Sequence, residues 1–140
     1  METEKVKFDA LLLLGIKDKQ MCQHTKEVYA LCVQGILMNI VTCSENYKGE
    51  SWAMKRTSNG AIFAYPESEG DHKVKIDSNF YEGTLTSEEL GIVCSLFAIN
   101  HLSFMTGNPE FRTILVDQFH KLKDYVLTLK NAAEIYRAID

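Results

Sequence analysis

The chain has 140 residues, of which 46% are hydrophobic and 10% aromatic, and its 15 basic and 19 acidic residues give a net charge of -4. This length and composition predict one ordinary globular domain with a buried core. The mild acidity argues against tight direct binding to nucleic acid, which needs a basic excess, and against imitation of DNA, which needs dense rows of carboxylates.

The N-terminal third predicts two helices. Residues 6–16 contain four consecutive leucines and are too short for periodicity to separate a helix from a buried strand; we favour a helix. From about Thr25 to Thr42 the apolar residues are spread around the helical wheel, which predicts a helix covered on several sides. Thr25 is the expected N-cap of this helix.

Asn59-Gly60 lies between two strand-like runs and predicts a β-hairpin with a two-residue type I′ turn, in which both residues have positive φ. This turn would pair Ser58 with Ala61, Thr57 with Ile62 and Met54 with Tyr65. The inward face would then carry Trp52, Met54, Phe63 and Tyr65, and the other face Ala53, Lys55, Ile62 and Ala64.

Two further strands and three helices follow. Residues 72–77 alternate between apolar and polar and predict a third strand, and a short fourth strand is expected near 80–85. Thr86-Ser87-Glu88-Glu89 is a capping box that begins a helix running to about Met105, which Gly107 terminates.

Asn108-Pro109 predicts the start of the next helix, which is amphipathic, and Asn131 with Glu134 could cap a last helix to Ile139. The predicted inward stripe of the amphipathic helix is Phe111, Ile114, Leu115, Gln118, Phe119, Leu122, Tyr125, Val126 and Leu129. The predicted fold class is α+β: an antiparallel sheet of three or four strands with helices before and after it, in a single compact domain over residues 1–140.

Tyr47, Gly49 and Trp52 are followed along the chain by Ser58-Asn59-Gly60 and then by Phe63-Ala64-Tyr65-Pro66. This order resembles the core signature of the plasmid and phage antirestriction family known as ArdB/KlcA. The segment 83–93, which includes Gly91, resembles the family's Gly-x-Leu-Ser motif with its following Gly-Ile, and residues 122–126 with Ile139-Asp140 resemble its last helices. The likeness covers roughly residues 45–140.

The chain departs from the family pattern at three places. Ala61 stands where a second glycine is usual, Gly49 is followed by Glu50 instead of another glycine, and Leu129-Lys130-Asn131 replaces a His-Pro-Glu run.

The resemblance implies a protein of a mobile element that relieves type I restriction-modification without mimicking DNA. The implied partner is the type I restriction enzyme, or a host factor controlling it, in the bacterial cytoplasm; no cofactor is implied. An alternative is an interaction module of a mobile element unrelated to restriction, and a third is a small hydrolase with a site assembled from distant residues.

The residues themselves predict no catalytic or metal site. Cys22, Cys32, Cys43 and Cys94 lack a Cys-x-x-Cys spacing and are expected to be free thiols in a reducing compartment. None of His24, His72, His101 and His120 has metal-ligand spacing; we expect His101 in the core or at its edge and His72 on the surface. No apolar run reaches the roughly 18 residues of a membrane span, and no secretory leader is expected.

The aromatic residues give two expectations. Tyr47 and Trp52 are expected to form a packed corner around Gly49, and one residue of Phe80-Tyr81 should be exposed. A hypothetical partner-binding surface lies where the hairpin meets the C-terminal helix, with Asp140, Arg137 and Asp124 as its charged members. Arg137 is three residues before Asp140, so the two could share a helix face.

Overall fold

The computed structural model describes residues 2–16 and 23–140, which form five α-helices and five β-strands. The elements in chain order are β1 (Thr3–Val6), α1 (Ala10–Leu14), α2 (Gln23–Ile40) with a following 3₁₀ turn (Val41–Cys43), β2 (Trp52–Thr57), β3 (Ile62–Pro66), β4 (Asp71–Ile76), β5 (Tyr81–Thr86), α3 (Ser87–Met105), α4 (Pro109–Val126) and α5 (Ala132–Ile139). The predicted α+β class is confirmed. Cys22 lies outside the described residues.

The strands form two antiparallel sheets. One has three strands in the order β1-β2-β3, and β4 pairs with β5 in a separate hairpin. Both predicted later strands exist, but they do not extend the first sheet. The third strand of that sheet is β1, which sequence analysis missed because it is only four residues long and mostly exposed.

The Asn-Gly turn differs from the prediction by one residue. Thr57 N–H donates to Ala61 C=O (2.8 Å) and Gly60 N–H donates to Thr57 C=O (3.0 Å), which encloses a three-residue loop. Gly60 has φ +86°, whereas Asn59 keeps a negative φ. This arrangement, a tight turn followed by a left-handed glycine, is the next most common hairpin loop after the two-residue type.

Because of the extra loop residue, the two faces of the hairpin also differ from the prediction. Met54 pairs with Ala64, and Lys55 with Phe63, so Phe63 and Tyr65 lie on the face opposite to Met54. A shift of one residue in register exchanges the two faces because side chains alternate along a strand. All five residues of β3 are buried, which shows that both faces of this strand are covered.

Helix α3 is the centre of the core. It begins at the predicted capping box: Thr86 Oγ1 accepts from the Glu89 N–H (3.2 Å), and Glu89 Oε1 accepts from the Thr86 N–H (2.8 Å). Between Leu90 and Leu102 most of its apolar residues are buried around its circumference, and it contacts α2, α4, α5, β3 and β5; Phe104 and Met105, at its C-terminal end, are exposed. A helix that is apolar on all sides must be enclosed by other elements, as this one is.

The two C-terminal helices begin where predicted, but α4 ends at Val126, so Leu129 of the predicted stripe lies beyond it. Asn108 Oδ1 accepts from the Glu110 N–H (2.9 Å) with Pro109 in the first turn of α4, and the α4 stripe faces inward as expected. Asn131 precedes α5 but its side chain makes no capping hydrogen bond, so that predicted cap is wrong.

The N-terminal helices agree with the prediction in part. α1 is helical as favoured, with the Asp9 carboxylate accepting from the Leu11 N–H (3.0 Å). α2 begins at Gln23, so Thr25 lies inside it and is not its cap. α2 is also covered less than expected: Val33 and Leu37 are buried, while Val28, Leu31 and Met38 are exposed.

We predict that Gly60→Val lowers the free energy of unfolding by more than about 1 kcal/mol, because a β-branched residue is strained at positive φ. The matched control is Gly35→Ala, in α2, where an added Cβ meets nothing within 4 Å. That substitution should raise stability by about 0.5–1 kcal/mol. Thermal melts measure both, and an unchanged midpoint for the valine variant would contradict the turn assignment.

Candidate functional site

Tyr47 and Trp52 form a corner at the start of the first hairpin. Trp52 Nε1 donates to Tyr47 Oη (3.0 Å), and the two rings meet edge to face with centroids 6.4 Å apart. Gly49, between them, has φ +80°, a conformation that favours glycine. The three residues therefore fix how the chain enters β2.

Ser58-Asn59-Gly60 ties the hairpin to α4. Asn59 Nδ2 donates to the Lys121 C=O (3.0 Å), and its Oδ1 accepts from the Ala61 N–H (3.1 Å). Ser58 N–H donates to the Glu2 C=O (3.1 Å), which also links the turn to the N-terminal strand. This turn holds elements together and carries no base or nucleophile pair.

Gly91 allows α3 to approach β3 closely. A Cβ on this residue would lie 2.3 Å from the Ala64 carbonyl oxygen and 2.3 Å from Tyr65 Cβ. One turn later, Ser95 Oγ accepts from the Ala64 N–H (2.9 Å) and donates to the Ala64 C=O (3.2 Å). Contact between this helix and strand therefore requires a residue without a side chain at 91.

A cleft of about 1040 Å³ opens where β3 ends, above the N-terminus of α3. It is lined by parts of the family-like motifs, including Pro66 and Glu88, and by the divergent segment Leu129-Lys130-Asn131. Its acidic lining residues are Glu67, Asp71, Glu88 and Glu89. The predominance of carboxylates suits a cationic side chain better than a phosphate.

Three of the four cleft carboxylates are engaged within the chain: Glu67 pairs with Lys5 Nζ (2.9 Å), Glu88 pairs with Lys55, and Glu89 accepts from the Thr86 N–H in the capping box. Lys55 Nζ contacts both carboxylate oxygens of Glu88 at 3.0 Å and lies 5.8 Å from the centre of the Tyr65 ring. Tyr125 lines the same cleft and stacks on Phe63, with centroids 5.9 Å apart. Burial raises the pKa of Tyr125, so the phenol stays protonated and can donate or accept a hydrogen bond.

The His72 side chain links two serines that line the cleft, Ser68 and Ser87, to Ser44 in the segment before β2. Its predicted surface position is wrong, because its side chain is only 1% exposed. Nδ1 lies 2.8 Å from Ser44 Oγ, and Nε2 lies 2.8 Å from Ser68 Oγ and 2.9 Å from Ser87 Oγ. Ser44 Oγ donates to Asn46 Oδ1, so it accepts from Nδ1–H, and Nε2 is left as the acceptor for a serine hydroxyl.

Burial lowers the pKa of His72, against the opposing effect of the Glu50 and Asp71 carboxylates. The imidazole is therefore neutral at pH 7, as its hydrogen bonds require. Three serines from separate segments share this one ring, which explains why a histidine is buried here. Sequence reasoning missed the network because none of its members is close to another in a motif.

The hypothetical site residues lie at the C-terminal end of the molecule. Arg137 pairs with Glu134 (2.6 Å) and lies over the Tyr81 ring, so its observed ion-pair partner is not Asp140. Asp140 and Asp124 are both exposed. Tyr136 Oη donates to the Lys123 C=O (2.9 Å), which holds the ends of α4 and α5 together.

The structure places helix α5, which carries Arg137, beside the β4-β5 hairpin: Tyr81 Oη donates to Glu134 (2.8 Å), and Asn79 Nδ2 donates to the Ala138 C=O (2.7 Å). Burial and this carboxylate raise the pKa of Tyr81 to about 12. The Asn-Gly hairpin, which we expected here, contacts α4 instead.

The remaining candidate residues are not assembled into a site. Cys94 is buried while His101 is exposed, so His101 is not a core histidine, and burial raises the pKa of the Cys94 thiol. Across residues 2–16 and 23–140, no group of three His, Cys, Asp or Glu side chains could hold a metal ion. No helix in the same ranges is long and apolar enough to cross a membrane.

Comparison with known proteins identifies the family. The sequence profile described as antirestriction protein matches residues 45–140. The chain belongs to the antirestriction protein family. Two Escherichia coli relatives named antirestriction protein KlcA are 35% and 31% identical to it over 94 and 96 residues, or 67% and 69% of this chain. The matched regions span 64% and 68% of those two relatives.

The fold also has a solved counterpart. A structure of the KlcA and ArdB proteins superposes with a TM-score of 0.75 over 100% of this chain and 96% of the other, at 22% identity. The superposition shows that the two proteins share a fold. The KlcA and ArdB proteins are described as having a novel fold, and antirestriction activity against type I DNA restriction systems in vivo but not in vitro.

The departures from the family pattern lie at defined places in this member of the family. Ala61 is buried beside the hairpin loop, and Glu50 lies in the Tyr47 corner, where its side chain accepts from the Lys48 N–H (3.1 Å). Leu129, Lys130 and Asn131 line the cleft. Only the last group changes the lining of a concave surface.

We predict that stability falls as pH drops from 7.5 to 5. The pKa of His72 is lower in the folded chain than its usual 6.5, so below about pH 6.5 the unfolded chain binds more protons. His72→Gln should lose about 1–3 kcal/mol at pH 7.5 and show a smaller further loss at pH 5. Urea titrations at both pH values measure this. The control is His101→Gln at an exposed position, and an undiminished pH slope in the His72 variant would contradict the assignment.

Proposed function

We propose that this protein relieves type I restriction by binding a protein, without catalysis and without imitating DNA. The observation that carries the proposal is the family match over residues 45–140. The partner is the type I restriction enzyme or a host factor that controls it, and the protein acts in the cytoplasm of a bacterium entered by a mobile element.

The charge distribution supports a protein partner. A net charge of -4 with interspersed basic residues supplies neither the cationic surface of a DNA-binding protein nor the regular anionic rows of a DNA mimic. The cleft carboxylates and the exposed Asp124 and Asp140 are better suited to basic side chains of a partner.

The behaviour of the structural relatives favours a partner that exists in the cell. The KlcA and ArdB proteins act against type I systems in vivo but not in vitro. If this chain shares that property, its inhibition requires a component absent from an assay with purified enzyme. A host factor that controls the restriction enzyme is such a component.

The structure also bears on the alternative of a hydrolase. Ser68 Oγ lies 2.8 Å from His72 Nε2, as a serine nucleophile and its base would. However, His72 is only 1% exposed, and its Nε2 is also within hydrogen-bond distance of Ser87 Oγ. The nearby cleft carboxylates would also oppose an oxyanion. These features favour a structural role for the pair.

We expect the protein to raise the plating efficiency of unmodified phage on a strain with a type I system, and to have no effect on a strain lacking it. Purified protein should show no sub-micromolar shift of duplex DNA at physiological salt. Relief without DNA binding would support the proposal. Absence of relief would favour an interaction module unrelated to restriction, and tight DNA binding would contradict the proposed mode.

The predicted partner-binding surface is tested at Asp140. Asp140→Asn removes an exposed charge, so stability should change by less than about 0.5 kcal/mol while restriction relief falls sharply. The control is Asp117→Asn, at an exposed position on α4, where only a surface ion pair with Lys121 is lost. Full relief by the Asp140 variant would show that this residue is not part of the partner-binding surface. Loss of relief together with unfolding would show that its role is structural.

A further inference from the structure

Phe80, at the tip of the β4-β5 hairpin, combines two unfavourable properties. Its side chain is 93% exposed, so a large aromatic ring is left in water. Its φ is +58°, and among the described residues it is the only non-glycine residue with positive φ. A bulky residue is strained in this conformation, where glycine or asparagine is favoured.

The hairpin tip is held firmly on both sides of this residue. Asn79 donates to the Ala138 C=O (2.7 Å) and accepts from the Tyr81 N–H (3.1 Å), so the turn is attached to α5. Tyr81 is 3% exposed and its hydroxyl donates to Glu134 (2.8 Å). The neighbours of Phe80 are therefore fixed, and its ring is presented outward from a rigid support.

The choice of phenylalanine has no structural explanation within this chain. Asparagine at this position would relieve the backbone strain and remove the exposed apolar surface at once. Where a residue violates local rules without a gain in folding, a functional cause is the expected explanation. Rigid, exposed aromatic residues are the typical anchors of protein interfaces.

We propose that Phe80 is an anchor that inserts into an apolar pocket with a basic rim on the protein partner. The proposal rests on the proposed function, since it takes that partner as the occupant. Exposed carboxylates near the tip favour such a pocket: Asp77 and Glu82 belong to the hairpin, where Lys75 is the cross-strand partner of Glu82, and Asp140 follows Ala138 by two residues. Arg137 is already paired with Glu134.

The same charges disfavour DNA or an anionic membrane as the surface that receives Phe80. Carboxylates that flank an inserted aromatic ring would be repelled by phosphates. A protein pocket bordered by lysine or arginine meets both the apolar ring and its acidic surroundings.

Phe80→Asn distinguishes a role in function from a role in folding, because it should raise stability and lower restriction relief. Asparagine tolerates positive φ, so the melting midpoint should rise, while restriction relief should fall by about tenfold or more if an anchor is lost. Phe80→Tyr keeps the ring and should keep relief. The control Phe104→Gln removes another exposed aromatic residue, 79% exposed in α3, and should leave relief unchanged.

A second arm does not depend on relief. A photo-reactive benzoylphenylalanine at position 80 should crosslink, in cells carrying a type I system, to one protein that untagged wild-type chain competes away; the same group at position 104 should not. Full relief by Phe80→Asn, a lowered midpoint for it, or no competed adduct at position 80 would overturn the proposal. If wild-type protein itself gives no relief, the proposed function fails, and the crosslink alone decides the role of Phe80.

Discussion

The structure depends on the contact between α3 and the free edge of β3. Ser95 hydrogen-bonds both backbone groups of Ala64, at 2.9 Å and 3.2 Å, and so occupies the position that a fourth strand would take. An open strand edge invites pairing with another chain, and here a side chain closes it. The contact is possible only because Gly91 has no Cβ, and it turns an apolar helix into the element around which the others pack.

This contact explains why most of the family-like residues are structural. Gly91 permits the approach, Asn59 attaches the hairpin to α4, and the Tyr47-Trp52 pair fixes the entry of the chain into β2. The N-terminus of α3 adds two further links, since Glu88 binds Lys55 and Ser87 joins the His72 network. A motif built from such residues identifies a fold reliably. We therefore expect specific recognition to depend on exposed residues, such as Asp140 within the family-like segments and Phe80 outside them.

Local chemistry made much of the fold predictable, and long-range contacts set the limits. The Thr86-Glu89 capping box and Asn108-Pro109 act within one helical turn, so the starts of their helices were predicted correctly. The hairpin was predicted with the wrong register because Asn-Gly is compatible with a two-residue loop and with a three-residue loop. The three-residue loop is favoured here by the hydrogen bond from Asn59 to Lys121, 62 residues away. Buried His72 and strand β1 were missed for the same reason, since their partners lie far along the chain.

The acidic groups of this protein occur in separate patches rather than in rows. One patch lines the cleft, where Leu129-Lys130-Asn131 alters the wall, and other exposed carboxylates belong to the β4-β5 hairpin and to Asp140 after α5. Proteins that handle DNA carry basic surfaces, and patches of carboxylates can bind such surfaces without the regular spacing of phosphates. We infer that specific recognition of a protein partner would then come from the shape of the surface and from apolar contacts between the charges. Such recognition needs no dense rows of carboxylates, so it is compatible with a net charge of only -4.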